Sequence, residues 1–142
     1  MPLDQDQINQ KLAQLEEYLK QLGELKDKPR GDFTEKSMIE AAAEREVYKV
    51  CQQVIDIAQT INADLGFGPP RFYRDLFTRL GDKKIISKGL QVKLEKMAGL
   101  RNKLAHEYAK VNPEEIYRVV TRDYQDLIEF SEAVAKYIKK SP

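Results

Sequence analysis

This sequence of 142 residues is poor in cysteine, histidine and tryptophan, and it has no long apolar run. It contains one cysteine, Cys51, one histidine, His106, and no tryptophan. These counts exclude an internal disulfide framework and a tetrahedral Cys/His zinc site. No run of about 18 apolar residues is present to span a membrane, and the polar, acidic N-terminus does not resemble a signal peptide. We therefore expect a soluble cytoplasmic protein that binds no metal and contacts no membrane.

The spacing of the apolar residues is helical almost throughout. They recur at intervals of three and four residues, and no stretch alternates long enough to indicate a strand. Amphipathic helices are predicted over about 4–25, 34–64, 71–80, 87–108 and 113–139. Ser87 and the pair Asn112-Pro113 are typical of helix starts. We expect one domain over residues 1–142, an all-α antiparallel four-helix bundle with an additional short helix.

The fourth predicted helix carries a charge where an apolar residue is expected. On an ideal helical wheel, its apolar stripe consists of Leu90, Leu94, Met97, Leu104 and Tyr108. Arg101 falls about 20° from Leu90, in the centre of this stripe. An unpaired buried guanidinium costs several kcal/mol, so Arg101 must pair with an acid, open onto an interface or face a cavity. Glu46 is a candidate partner, because it lies inside the apolar stripe of the second helix.

The only histidine follows Arg101 by five residues. On a continuous helix, Arg101 and His106 point about 140° apart, so one helix cannot direct both at one small target. If the two act together, either the helix loosens before His106 or two copies of the helix converge across a dimer. Asn102 does share a face with His106, since the two are four residues apart.

The segment from Arg101 to Tyr108, read as R-N-K-L-A-H-E-Y, resembles the R-x-x-x-x-H-x-Y motif of the HEPN superfamily. It is most similar to the HepT-like toxins of prokaryotic toxin–antitoxin pairs. The polar Asn102 directly after the arginine and the order and lengths of the predicted helices also fit that pattern. The resemblance covers essentially the whole chain, although only the eight-residue motif is specific.

The resemblance implies a metal-independent endoribonuclease without a cofactor, active on RNA as a homodimer whose motif helices meet. His106 would act as general base or acid, since imidazole titrates near neutral pH, and Arg101 would hold the phosphate. Asn102 would orient His106 or a substrate group, or would simply be a surface amide. Tyr108 would accept AMP from a cognate minimal nucleotidyltransferase, the antitoxin, which silences the ribonuclease. In the alternative interpretation, Tyr108 only closes the apolar stripe.

Positive charge is concentrated around the motif although the whole chain carries only +1. Residues 71–110 have a local charge of +7 and the remainder −6. The basic region is suited to phosphates, although a solvated lysine face explains it equally well. The aromatic side chains Phe72, Tyr73 and Phe77 lie near the motif and are expected to fill the core rather than stack on bases.

Two other functions use the same residues differently. A non-catalytic HEPN adaptor would use Arg101 and His106 to bind a nucleotidyltransferase or a nucleotide, but the intact motif argues for catalysis. A conventional hydrolase is excluded, because there is no glycine-rich phosphate loop and no pair of metal-binding acids. Gly66-Phe67-Gly68 runs into two prolines and is interpreted as a turn.

Overall fold

The computed structural model describes residues 4–106 and 110–140, which form helices joined by short connections. The helices are α1 (Gln5–Gly23), α2 (Met38–Asp64), α3 (Tyr73–Asp82), α4 (Lys88–Ala105), α5 (Pro113–Arg118) and α6 (Tyr124–Lys140). A π-helical turn, Val119–Asp123, joins α5 to α6, so that the three segments form one continuous C-terminal helix. The described ranges contain no strand. The all-α prediction is therefore confirmed, with four long helices and one short one.

Most of these helices have a side-chain hydrogen bond that caps their N-terminus. Asp4 accepts a hydrogen bond from Gln7 N (3.1 Å) and Ser87 accepts one from Leu90 N (3.1 Å). At Asn112, the side chain accepts from the Glu114 amide (3.0 Å), with Pro113 at the first helical position. Each cap supplies an acceptor to one of the otherwise unpaired N–H groups of the first turn. The predicted starts at Ser87 and Asn112-Pro113 are confirmed.

Two helix ends differ from the prediction. α2 begins at Met38 rather than Thr34, because Ser37 caps it by accepting from Glu40 N (2.9 Å). α4 ends at Ala105 rather than Tyr108, and His106 has extended backbone angles, φ −96° and ψ 120°. The sequence after Ala105 offers no glycine or proline to mark this end, which explains why periodicity extended the helix too far.

The second helix lies at the centre of the bundle. α2 packs against α1, α3, α4 and α5, while α6 packs against α1 and α4. Its buried face runs from Ala43 to Ile61, and Phe77 of α3 packs edge-to-face against Phe130 of α6. α3 and α4 are neighbours, and a Cβ on Gly81 would lie 1.8 Å from Gln91 Oε1. This close approach holds the C-terminal end of α3 against the N-terminal half of α4. No helix in the described ranges is long and apolar enough to cross a bilayer.

One acidic side chain is buried at the start of α2. Glu40 is 1% exposed, and neither of its carboxylate oxygens has a hydrogen-bond partner within residues 4–106 and 110–140. Ser37 and Glu40 have the spacing of a capping box, yet only the bond from the Glu40 amide to the Ser37 hydroxyl forms. Burial, reinforced by the neighbouring Glu44, raises the pKa of Glu40 from 4.5 to about 8.

Candidate active site

Arg101 lies in the last turn of α4 and points towards α2 and α3. Its side chain is half-buried, and Nε donates a hydrogen bond to Gln52 Oε1 at 2.9 Å. The guanidinium carbon lies 4.9 Å from the ring centroid of Tyr73 and 5.9 Å from that of Tyr48. An amide oxygen and two aromatic faces therefore hold this cation within the bundle.

None of these partners carries a negative charge. Within residues 4–106 and 110–140, no acidic side chain forms a salt bridge with Arg101. Gln52 and the rings fix the guanidinium without neutralising it, and the Arg101 side chain is only half-buried. Such a group has the charge and the planar donor geometry that a phosphate oxygen requires.

The predicted pair between Glu46 and Arg101 is wrong. Glu46 instead pairs with Lys49 at 3.2 Å, one turn further along α2. Lys49 in turn donates to Gln21 Oε1 of α1 at 3.0 Å and lies 4.9 Å from the Tyr18 ring centroid. Glu46 therefore belongs to a polar contact between α2 and α1, on a different side of α2 from α4.

His106 follows the last residue of α4 and is exposed. Its backbone N–H donates to Lys103 O at 3.2 Å. The helix therefore ends before His106, which is the first of the two alternatives that the helical wheel left open. Because His106 lies outside the helix, the 140° separation from Arg101 expected for a continuous helix does not apply.

Asn102 is exposed on α4, and its Oδ1 accepts a hydrogen bond from Arg101 Nη1 at 3.2 Å. The structure thus connects Asn102 to the arginine. The remaining motif residue, Tyr108, lies outside the described residues, so its predicted role stays a prediction.

Two residues that contact Arg101 are not among the site residues predicted from the sequence. Tyr48 and Gln52 are four residues apart on α2, so they share the face that meets Arg101. This i, i+4 spacing was a usable signal, but only together with knowledge of which face of α2 meets α4. Cys51 lies on the same helix and is fully buried. Burial raises the pKa of Cys51 to about 12 despite the opposing charge of Arg101, so the thiol stays un-ionised.

The basic region contains both paired and unpaired cations. Salt bridges join Lys88 to Asp82, Lys93 to Asp126 and Lys103 to Glu115. Arg79 is also engaged, since Nη1 donates to Gly68 O at 2.8 Å and to Asn62 Oδ1 at 3.2 Å. Besides Arg101, the described part of the chain contains no salt bridge for the remaining cations of this region, which are Arg71, Arg74, Lys83, Lys84, Lys96 and Lys110. Residues 71–110 therefore keep an excess of positive side chains that no acid in the described ranges neutralises.

A separate groove of about 350 Å³ lies between α4 and the C-terminal helix. Its lining includes Lys93 and Lys96 of α4 together with Arg118, Arg122 and Asp126. Arg101 and His106 do not line it, because Arg101 points to the opposite side of α4, towards α2 and α3.

The sequence matches a known family over most of its length. The family model described as Ribonuclease HepT-like matches residues 8–134. The chain belongs to this HepT-like family. The HEPN resemblance suggested by the motif is thereby confirmed.

Relatives of this HepT-like chain include named nucleases. It is 35% identical to the mRNA nuclease HepT of Shewanella oneidensis over 86 residues, or 61% of this chain and 65% of that protein. The aligned part thus spans just under two thirds of that relative. The chain is also 25% identical to the tRNA nuclease HepT of Aphanizomenon flos-aquae over 114 residues, or 80% of this chain and 78% of that one.

The fold is also similar to a solved complex. A tri-AMPylated HEPN toxin of Shewanella oneidensis, in complex with an MNT antitoxin, superposes with a TM-score of 0.80. The two sequences are 27% identical, and the match covers 91% of this chain and 96% of the toxin. The similarity therefore extends over about nine tenths of this chain.

Proposed function

We propose that this HepT-like protein is a metal-independent endoribonuclease toxin that cleaves RNA at Arg101 and His106. The observation that carries the proposal is the state of Arg101. Its guanidinium is fixed by a neutral amide and two aromatic rings, and it has no acidic partner within residues 4–106 and 110–140. The relatives named as mRNA and tRNA nucleases support an RNA substrate.

Arg101 serves to bind the scissile phosphate. A guanidinium offers parallel N–H donors that match two phosphate oxygens, and it remains charged at any physiological pH. Because Gln52 already holds Nε, the guanidinium is oriented before the substrate arrives. Preorganised positive charge lowers the barrier most where negative charge develops, here on the equatorial oxygens of the phosphorus.

His106 serves as the proton-transfer group. In the proposed step, the ribose 2′-oxygen bonds to the adjacent phosphorus while the bond from phosphorus to the 5′-oxygen breaks. The 2′-hydroxyl loses its proton to a base, and the departing 5′-oxygen takes up a proton from an acid. The products are a 2′,3′-cyclic phosphate and a 5′-hydroxyl. An exposed imidazole at a helix end can approach the substrate and perform one of these transfers.

One protomer has only one histidine for two proton transfers. We propose that the protein acts as a homodimer in which two motif helices meet, so that two copies of His106 are available. Asn102 supports the site by accepting a hydrogen bond from Arg101. Glu46 has no place in this mechanism, because it pairs with Lys49.

We further propose that a cognate minimal nucleotidyltransferase is the antitoxin and adds AMP to Tyr108. The AMPylated toxin in complex with an MNT antitoxin supports this proposal. AMP on Tyr108 would add a negatively charged phosphate seven residues after the phosphate-binding Arg101. It would therefore compete with RNA.

Cleavage of RNA by the full chain in a buffer with a metal chelator tests the catalytic proposal. We expect His106→Ala to lower the rate at least about 100-fold, as for the loss of a proton-transfer group, and Arg101→Ala to lower it by a similar factor, as for the loss of a preorganised charge. Lys103→Ala is the matched control, since it removes an exposed cation from the same helical turn. It should cleave within a few-fold of the original chain.

Circular dichroism should show that all three variants stay folded. Retained cleavage by either Arg101→Ala or His106→Ala would refute the catalytic assignment.

A second experiment tests the proposed antitoxin. The Tyr108→Phe chain should cleave RNA but escape AMPylation, as measured by intact-protein mass spectrometry. AMP on the Tyr108→Phe chain would refute Tyr108 as the acceptor.

A further inference from the structure

Phe72 is an aromatic side chain that the hydrophobic core does not use. It is 48% exposed, whereas the nearby Phe77 is fully buried and Tyr73 is half-buried against Arg101. The sequence-based expectation that these aromatic residues fill the core is therefore wrong for Phe72. A large exposed apolar side chain inside a positively charged surface is typical of a binding site.

Two arginines contact the Phe72 ring. The guanidinium carbons of Arg71 and Arg74 lie 5.3 and 4.8 Å from its centroid, and both side chains are exposed. The salt bridges of residues 4–106 and 110–140 include neither arginine. Nearly half of the Phe72 side chain stays open to solvent with both guanidinium groups in place. We refer to Arg71, Phe72 and Arg74 as the aromatic–arginine cluster.

The backbone of this cluster is held in place. Phe72 is the N-cap residue of α3, and its N–H donates to Asp75 Oδ2 at 3.0 Å. The preceding loop is tied to α3, because Arg79 donates to Gly68 O at 2.8 Å and lies 5.0 Å from the Phe67 ring centroid. The Phe72 ring is thus presented from an ordered segment, which lowers the entropy cost of binding.

Phe72 of the cluster is followed in the chain by a residue that contacts Arg101. The ring of Tyr73, the next residue in the chain, is 4.9 Å from the Arg101 guanidinium. Phe72 directly precedes Tyr73 and consecutive Cα atoms are about 3.8 Å apart, so we expect a nucleotide next to one held at Arg101 to reach Phe72. Asp75 is the nearest acid in sequence, and one of its carboxylate oxygens already accepts from the Phe72 amide.

We infer that the aromatic–arginine cluster is a stacking subsite for one unpaired base of the RNA, with Arg71 and Arg74 binding the flanking phosphates. Aromatic rings and guanidinium planes both stack on splayed bases, whereas bases inside an A-form duplex have no free face. The inference rests on the proposed ribonuclease function and deepens it. It names the substrate as RNA that is single-stranded next to the cleaved bond.

Binding is measured by fluorescence anisotropy with the full chain carrying His106→Ala, which prevents cleavage. The probes are a labelled oligouridylate and the same strand annealed to oligoadenylate. Loss of one stacked base typically weakens binding about 5- to 100-fold. We therefore expect Phe72→Ala to weaken binding of the single strand by about tenfold and to leave duplex binding unchanged. Phe72→Trp should retain the affinity, and its fluorescence, in a chain with no other tryptophan, should be quenched by the single strand.

Met38→Ala is the matched control. Met38 is also a large exposed apolar residue (88% exposed), and it lies on α2 ten residues before Tyr48, which contacts Arg101.

The salt dependence of binding separates stacking from charge. Arg74→Ala should reduce the slope of log affinity against log salt by about 0.7, as for one phosphate contact, whereas Phe72→Ala should leave it unchanged. The melting temperature checks folding, and Phe72→Ala keeps the backbone bond to Asp75.

The outcomes separate the inference from the proposed function. If the His106→Ala chain binds RNA and Phe72→Ala binds as well as Met38→Ala, the subsite is refuted and the ribonuclease proposal stands. The subsite is also refuted, and the ribonuclease proposal stands, if Phe72→Ala weakens binding of the antitoxin but not of RNA. An equal loss for single strand and duplex would also refute stacking. If the His106→Ala chain binds no RNA at all, the proposed function and the inference both fail.

Discussion

The C-terminal end of α4 and the N-terminal end of α2 each hold a charged side chain on a face that packs into the bundle. At the first, Arg101 is half-buried and has four neutral partners, which are Gln52, Asn102 and the rings of Tyr48 and Tyr73. At the second, Glu40 is almost completely buried, and no hydrogen bond to its carboxylate forms within residues 4–106 and 110–140.

The difference follows from the chemistry of the two groups. A guanidinium stays protonated in proteins, so its surroundings must accommodate a permanent charge. A carboxyl group can instead become neutral by binding a proton, and burial favours that form of Glu40. The permanently charged Arg101 therefore lies near the surface, where a ligand can reach it. Glu40, which can become neutral by binding a proton, is buried.

The largest expected effect concerns Glu40. Its folded pKa of about 8 exceeds the unfolded value near 4.5, so the folded state binds more protons between these pH values. The stabilising contribution is complete below about pH 4.5 and is lost as the pH rises through 8. The first turn of α2 favours a negative charge by at most about 1 kcal/mol, too little to offset burial.

We expect the free energy of unfolding of Glu40→Gln to equal that of the original chain at pH 4.5. At pH 9 we expect it to be higher than that of the original chain by about 1–3 kcal/mol. Urea unfolding at the two pH values measures the difference. Glu16→Gln, on the exposed face of α1, serves as the control. If Glu40→Gln showed no gain over the original chain at pH 9, Glu40 would not be a buried neutral acid.

A smaller effect is expected at Arg101. Arg101→Leu places an apolar side chain on the apolar stripe of α4 and removes a half-buried charge. We expect the free energy of unfolding to rise by about 1 kcal/mol while cleavage is lost. Lys103→Leu, on the exposed side, should change stability by less than about 0.5 kcal/mol. A lower stability of Arg101→Leu would show that Gln52 and the rings stabilise the cation more than its burial costs.

The smallest effect is expected at Glu46. Because it pairs with Lys49 in a half-buried i, i+3 contact, Glu46→Gln should lower stability by no more than about 0.5 kcal/mol. Thermal unfolding with Lys49→Met as the companion variant measures this pair. A loss above about 1 kcal/mol that disappears in the Arg101→Leu background would restore the pairing of Glu46 with Arg101.

Local sequence signals predicted most of the helical framework. Asn112 supplies a side-chain acceptor that caps the helix, and the ring of Pro113 fits the first helical turn. Both features are present in the structure. Gly23 ends α1 near the predicted position. The end of α4 carries no comparable signal, because nothing near Ala105 has a backbone preference against helix.

The partners of Arg101 could not be predicted from the helical wheel. A wheel gives directions about one helix axis but not the rotation of that helix relative to its neighbours. Glu46 was chosen for its charge, whereas the face of α2 that meets Arg101 carries Tyr48 and Gln52. Attraction of opposite charges near a surface is worth at most about 1 kcal/mol, and the packing of the helices overrides it. The same limit applies to Phe72, whose neighbours Tyr73 and Phe77 point inwards while it does not.

The burial of Cys51 has a practical consequence for studying the proposed dimer. Thiol-reactive labels attack the thiolate, and this sulfur is both inaccessible and un-ionised in the folded protein. A cysteine introduced at any exposed position is therefore the one that a nitroxide or a fluorophore will modify, with no need to replace Cys51. Distances between two such labels would then show directly whether the motif helices of two chains come together.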